Sequence, residues 1–414
     1  MGGQATPPAD DKVLHFEELP VPESRTAAYK IVRDAGPVAR DDHGAYVITT
    51  SEGAEFVLRQ PGLFSSKRAF DGVGSPVPMV PIGTDPPEHT RYRRVLQPMF
   101  SPRSTAPWQP KIRALAGELI DNVIGKGECD VVADLAVPLP AQVFLTLFGL
   151  PPEDRDRLLA WKDAILDTVG IRGAEGPSEE SARLGAELYG YLVGHIAERR
   201  QRGGTDDMLG QLLADTSDDA LNDEEMLGLS FQFVLAGLDT VTCAMSTAFA
   251  TLASQPGLRR QIVADPSLIP DAIEELLRVD GPVATLPRVV TEDVEVDGQT
   301  IPAGNYVQVA VAVANRDPAE HPDPDTIDFG RQERHLAFGG GPHGCLGSHL
   351  ARLEMRVALE EWHRRIPEYK LAPGTTPRAT WPAGLVGIDS LPLVFPAGGG
   401  GDPTGSPAIG GGAR

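Results

Sequence analysis

Apolar and polar positions fall into two rhythms along the chain, one close to 3.6 residues and one of 2. The helical rhythm, or a run of good helix formers, predicts helices over 88–99, 111–124, 152–168, 179–200 and 206–214. The strand rhythm is sparser. Residues 37–40 and 46–49 flank the turn-prone Asp42-His43-Gly44 and read as a hairpin, and 294–301 places Asp297-Gly298 between two short alternating runs. Residues 306–314 read as a further strand. The pattern predicts a mainly α fold with a small β portion.

The longest helical segment begins at Asn222, whose side chain can cap, with Glu225 three residues on in the capping-box position, and it runs to Gln255 before Pro256. About thirty residues at 1.5 Å each span about 45 Å. It is apolar nearly all the way round, yet Gln232 and Asp239 interrupt it. That fits a helix through the centre of a large globule better than a membrane span. Residues 1–10 and 397–414 are rich in Gly, Pro, Ala and Ser and poor in large apolar groups, so they read as tails. Between them, 11–396 shows no repeat and no long linker and reads as a single domain.

Composition narrows the function classes. The 414 residues are 41% hydrophobic and 23% charged, ordinary globular usage. A net charge of −21 argues against nucleic acid or anionic lipid as a general partner. The first thirty residues lack a basic start followed by an apolar run, so a cytoplasmic location and no membrane attachment are expected. Cys129, Cys243 and Cys345 lie far apart with no CxxC spacing, which gives no zinc ribbon and no covalent c-type haem site.

Cys345 stands out by its neighbours. Phe338-Gly339-Gly340-Gly341-Pro342-His343-Gly344-Cys345-Leu346-Gly347 precedes an apolar-periodic helix predicted over 348–365. A sulfur at a helix start meets backbone N–H groups and the positive end of the helix dipole, which favour thiolate, and glycines let a flat ligand come close to the backbone. Taken alone, the same cysteine also reads as an inert buried thiol in a glycine turn. Gly339-x-Gly341-x-x-Gly344 satisfies a dinucleotide-binding pattern as well, but only Leu336-Ala337-Phe338 precede it as apolar residues and no strand-helix-strand succession follows.

Position by position, the segment resembles the haem-binding loop of the cytochrome P-450 superfamily, Phe-Gly-x-Gly-x-His-x-Cys-x-Gly, with all six fixed positions matched. Three further segments are similar and in order: Asp85-Pro86-Pro87-Glu88-His89-Thr90-Arg91-Tyr92-Arg93-Arg94, Ala236-Gly237-Leu238-Asp239-Thr240, and Glu275-Leu276-Leu277-Arg278. The likeness covers about 15–396. It implies a triangular helix-rich prism with haem b held between the long central helix and the helix after the cysteine loop. It also implies Cys345 as iron ligand, packed with Phe338 and Gly347, and Ala236 and Gly237 bordering the oxygen groove. An anionic sulfur on iron favours O–O cleavage.

Other roles follow from the resemblance in the same way. Asp239 and Thr240 are implied in delivering protons to dioxygen, and Thr240, four residues after Ala236, can bond that carbonyl. Glu275 and Arg278, three apart on a helix, become a buried structural pair with Arg331 as a third member; by themselves they read equally as surface decoration. His89, Arg93, Arg288, His335 and His343 are implied as contacts to the haem carboxylates, although any of them alone also reads as a surface charge. Phe70, Val73, Val77, Met79, Val80, Leu235, Val283, Leu286 and Leu385 suggest an apolar substrate cavity or ordinary core.

The function expected is a monooxygenase that inserts one atom of O₂ into a hydrophobic small organic molecule. Its electrons are expected from a ferredoxin with its ferredoxin reductase, steered by Arg91, Arg94, Arg352 and Arg356. The alternative is a haem-thiolate sensor or ligand-binding protein without turnover.

Overall fold

The computed structural model describes residues 13–73, 75–169, 179–204, 206–382 and 384–398, so the two expected tails fall almost wholly outside it. The protein is 54% helical. Asn222 caps the central helix as its sequence requires: the Glu225 N–H donates to Asn222 Oδ1 at 3.0 Å, and the Asn222 N–H to Glu225 Oε2 at 2.9 Å. Tyr92 Oη donates to the other Glu225 oxygen at 2.9 Å, and Arg91 bonds it too, so the cap also fastens the central helix to the helix Glu88–Leu96.

The central segment is not one helix. It runs as Asp223–Gly237 and resumes as Thr240–Ser254, broken at Leu238 and Asp239. Gly237 packs so tightly on the Phe144 ring that a Cβ there would lie 2.5 Å from it. The expected length and burial hold, while the continuity does not. The span Asp223–Ser254 is long and apolar enough to cross a membrane, and it lies mostly buried inside the protein. Beyond the break its small side chains let the helix Ser348–Arg365 approach, with Phe249 edge-on to Trp362 at 5.3 Å between ring centres.

The β portion centres on a six-stranded sheet, ordered Val13–Leu14, Val38–Asp41, Tyr46–Ile48, Tyr306–Val309, Leu286–Val290 and Phe64–Ser65. Both expected hairpins are present, the second turning on Asp297 and Gly298 at φ 48° and 81°, as a two-residue turn requires. The strand expected over 306–314 stops at Val309, because Val311–Ala314 coils into a short helix whose apolar side chains are all buried. In the sheet Arg288 stands opposite Val307, which brings its side chain to the cysteine-loop end of the molecule.

The cysteine loop is fixed by backbone packing. Gly341 has φ +61°, and a Cβ on it would lie 2.1 Å from the Leu58 carbonyl oxygen. Only glycine meets both demands at that position. The loop therefore rests directly on the main chain of the helix Ser51–Arg59.

Candidate functional site

A cavity of about 280 Å³ opens between the central helices and the cysteine loop. Cys345 forms part of its wall, held by its own N–H donating to Phe338 O at 2.9 Å. The sulfur is open to the cavity yet deep beneath the molecular surface. Burial raises its thiol pKa above the ordinary value, while the Gly347 N–H, Arg93, Arg352 and the Ser348 N–H act in the opposite sense. The N–H groups at the helix start and the two arginines favour thiolate, but desolvation outweighs them in the protein alone. Phe338 also faces the cavity, with the Arg352 guanidinium stacked 4.2 Å from its ring centre.

Basic groups from three distant segments converge beside the cysteine. His89 and Arg93 come from one helix, Arg288 from the sheet and His343 from the loop. The His89 and His343 rings lie 4.1 Å apart. Arg93 donates to Gly344 O at 2.7 Å, and His343 Nε2 meets Ser66 Oγ at 3.1 Å. Arg288 is buried and, among the described residues, its one hydrogen bond is to Pro287 O, at 2.7 Å. His89 Nε2 is buried with no partner among the described residues.

The electrostatics follow from this crowding. Burial, then Arg93 and Arg288, depress His89 to about 4. Burial, then His89, Arg288 and Arg93, depress His343 to about 3. Burial also lowers Arg288 to about 10, against the attraction of Asp85. Asp85 itself accepts from the Ser65 hydroxyl at 2.5 Å and the Ser66 N–H at 2.8 Å. The cluster has more positive charge and more donor capacity than its one acid can satisfy. A flat group bearing two carboxylates would fit this donor set, supplying an acceptor for the orphaned His89 nitrogen.

His335 does not join the cluster. The Ala337 N–H donates to its Nδ1 at 3.2 Å, which leaves Nε2 to donate to Glu274 Oε2, also at 3.2 Å. Glu274 is gripped by Arg352 through two bonds of 2.6 Å, and despite the opposing effect of burial these partners hold it down to about 2. Where the sequence implied a carboxylate of a bound group, the ring instead meets Glu274, an acid 61 residues earlier.

On the opposite wall lie Ala236, Gly237 and Thr240. Thr240 Oγ1 donates to Ala236 O at 3.0 Å, as its spacing predicts. Asp239 faces away, toward a second cavity of about 240 Å³. There its Oδ2 lies 2.9 Å from Lys162 Nζ, which also holds Asp163 at 2.5 Å. The Lys162 side chain is 3% exposed. Burial opposes its charge, but the two carboxylates outweigh burial and raise its pKa. Sequence reading missed Lys162, although its register with the buried Leu158 and Ile165 marks a lysine on an apolar helix face.

Glu275 and Arg278 form the expected buried pair, with bonds of 2.7 and 2.8 Å. Arg331 joins at 3.2 Å, and the Asp328 N–H donates to the same Glu275 oxygen at 3.0 Å. Arg278 further bonds Asn315 O and Pro324 O, tying the chain that leads to the cysteine loop.

Of the expected apolar lining, Val283 and Leu286 face the main cavity, and Leu385 faces the second. Val73, Met79, Val80 and Leu235 are packed in the core, with Phe70 against it. Phe100, Phe144, Phe233 and Val311 line the cavity instead, side chains whose helical spacing resembles any core. The expected basic patch is largely neutralised: Arg91 and Arg94 pair with Glu225 and Asp219, Arg352 with Glu274, and Arg356 bonds Gln109.

Comparison with known proteins agrees with this arrangement. The family model described as cytochrome P-450 matches residues 185–366. The chain is 36% identical over 380 residues to a probable cytochrome P-450 127A1 of Sinorhizobium fredii, covering 89% of each chain. It is 39% identical over 321 residues to the mycinamicin IV hydroxylase/epoxidase of Micromonospora griseorubida, covering 76% of this chain and 79% of that one. Among solved structures, open cytochrome P-450 EryK from S. erythraea superposes with a TM-score of 0.81 at 34% identity, covering 92% of this chain and 98% of that one. Relatives named for catalysis favour turnover over the binding-only alternative. With its fold, its cysteine loop and relatives along nearly the whole chain in agreement, the chain belongs to the cytochrome P-450 family and is a haem-dependent monooxygenase.

Proposed function

We propose that Cys345 would hold the iron of a haem b through its sulfur, with Phe338 and Gly347 shaping the loop around it. The observation that carries the reading is the meeting, in one cavity, of the Cys345 sulfur with basic groups that Asp85 alone does not satisfy, His89 Nε2 among them. His89, Arg93 and His343 would hold the haem carboxylates directly. Arg288 would add charge from behind them, and His335 would brace Glu274 instead. When bound, the haem supplies the activation of dioxygen.

The overall change is R–H + O₂ + 2 electrons + 2 protons to R–OH + H₂O. Apolar walls at Val283, Leu286, Phe100 and Phe233 bind a hydrophobic small organic substrate by burial and exclude water. Ala236 and Gly237 present little bulk beside Thr240. The Thr240 hydroxyl holds a proton at the cavity wall, and Asp239, reached through Lys162, replenishes it from the far side of the helix break. A cytoplasmic ferredoxin with its reductase delivers the electrons.

Replacing Cys345 by His tests the ligand. The variant is expected to keep some haem but to lose the red-shifted band that the reduced, carbon monoxide-bound thiolate protein gives. An unaltered spectrum would overturn the assignment. Product formation with a surrogate ferredoxin and reductase tests the electron route, and turnover supported only by a flavodoxin would correct it.

A further inference from the structure

We infer that Gln232 is a specificity-determining residue of the main cavity, and that the substrate carries a hydrogen-bond acceptor, a carbonyl, ether or hydroxyl oxygen, remote from the carbon oxidised. This rests on the haem-thiolate reading above and adds what the substrate must present.

Gly228, Gln232 and Ala236 recur every four residues on the helix Asp223–Gly237, so they share one face, and Thr240 follows at the same spacing beyond the break. Gly228 leaves room for the Pro78 carbonyl, whose oxygen would lie 2.0 Å from a Cβ. One turn on, the Ile82 N–H donates to Gln232 Oε1 at 3.1 Å. The segment 78–82 is thereby fastened to the helix at two points.

The second fastening orients the amide. A backbone N–H can only donate, so the oxygen of Gln232 is the atom that meets it, and Nε2 with its two protons is the half left over. Nε2 has no hydrogen-bond partner among the described residues, and Gln232 lines the main cavity. Thr240 is already donating to Ala236 O. The other polar side chains on the cavity wall, His89, Arg93, His343, Cys345 and Glu354, come from the cysteine-loop side. An apolar wall of Ile82, Phe100 and Phe233 thus presents a single amide donor to whatever fills it.

A hydrocarbon pressed against that amide would strip it of water and return no bond, whereas an oxygen in reach would satisfy it. Sites built to hydrogen-bond a ligand group discriminate strongly against analogues that lack it. Four helical residues set Gln232 about 6 Å along the axis from Ala236, and Thr240 lies farther still beyond the break, so the acceptor sits about 6 Å or more from a carbon held beside those residues.

The test is a ruler anchored on the iron. A series of 1-alkylimidazoles coordinates the haem through nitrogen, with one methylene of the tail replaced by a ketone at successive positions, and binding is read from the haem absorption spectrum. In the wild type one ketone position is expected to bind about tenfold more tightly than the all-methylene tail. Gln232→Glu keeps an acceptor for the Ile82 N–H but removes the donor, and Gln232→Met removes both; each is expected to abolish the ketone advantage while the plain alkyl ligand still binds. The readout is a ratio of two ligands on one protein, so a general loss of stability does not mimic it. No advantage at any position, or an advantage that survives Gln232→Glu, overturns the inference. A protein that holds no haem, or whose spectrum ignores every imidazole, overturns the Cys345 reading instead and the inference with it.

Discussion

Two buried ion pairs of similar chemistry occupy opposite sides of the central helices, and they are wired differently. Glu275 and Arg278 are 2% and 1% exposed. Their bonding capacity is filled by each other, by Arg331, by the Asp328 N–H and by three carbonyls. Lys162 is as deeply buried, but one of its acids, Asp163, is 60% exposed, and the other, Asp239, sits in a helix break beside Thr240. A saturated pair cannot exchange partners without losing bonds, so it braces. A pair with one wet end offers protons a way in at little cost to the fold.

Breaking the braced pair should produce the largest effect. Arg278→Ala leaves a buried carboxylate uncompensated and is expected to lose about 3–5 kcal/mol, read by denaturant unfolding or as a collapse of soluble yield. A variant within 1 kcal/mol of wild type would show that the network does not carry the fold. Thr240→Ala is next: haem content and unfolding midpoint should stay near wild type, while the share of electrons recovered in product falls several-fold in favour of peroxide. Coupling that does not change would remove Thr240 from the proton path.

Lys162→Met sharpens the contrast. It should slow turnover about tenfold and shift its pH dependence, with Lys162→Arg restoring much of the rate. Its stability loss should stay well below that of Arg278→Ala, because Asp239 faces a cavity into which it can relax. Equal losses in the two variants would erase the distinction between brace and conduit.

The smallest effect concerns a buried group with no wet end. His363 bonds Leu359 O and Tyr369 Oη, and burial, with Arg259 adding to it, lowers its pKa to about 4. Its folded pKa lies below the unfolded value of about 6.5, so this contribution is complete above pH 6.5 and erodes as pH falls toward 4. His363→Gln should reduce the acid-side slope of stability by about one proton across that window, measured as unfolding midpoint against pH. An unchanged slope would count against a neutral buried imidazole.

How far the sequence reached depended on whether a feature was local. The Asn222 cap, the Asp297-Gly298 turn, the Thr240-to-Ala236 bond and the Glu275-Arg278 pair all arise within four residues, and the structure has each of them. The helix break was legible only as a loosening where Thr240 bonds Ala236 O beside Gly237, while the packing of Gly237 on Phe144, a contact across the fold, was not legible. His335 turned to Glu274, and Arg91 and Arg94 to Glu225 and Asp219, because acids distant in sequence reached them first. Lys162 was legible in principle, as a charge in an apolar register, yet only its partner explains why it is tolerated there.

Where Gly341 meets Leu58, main chain touches main chain. Chimeras built with homologues must therefore keep the path of the helix Ser51–Arg59 as well as its core side chains Ala54, Val57 and Leu58. A crossover that inserts or deletes one residue there would lift the thiol-bearing loop from its seat, however well the new residues matched in character.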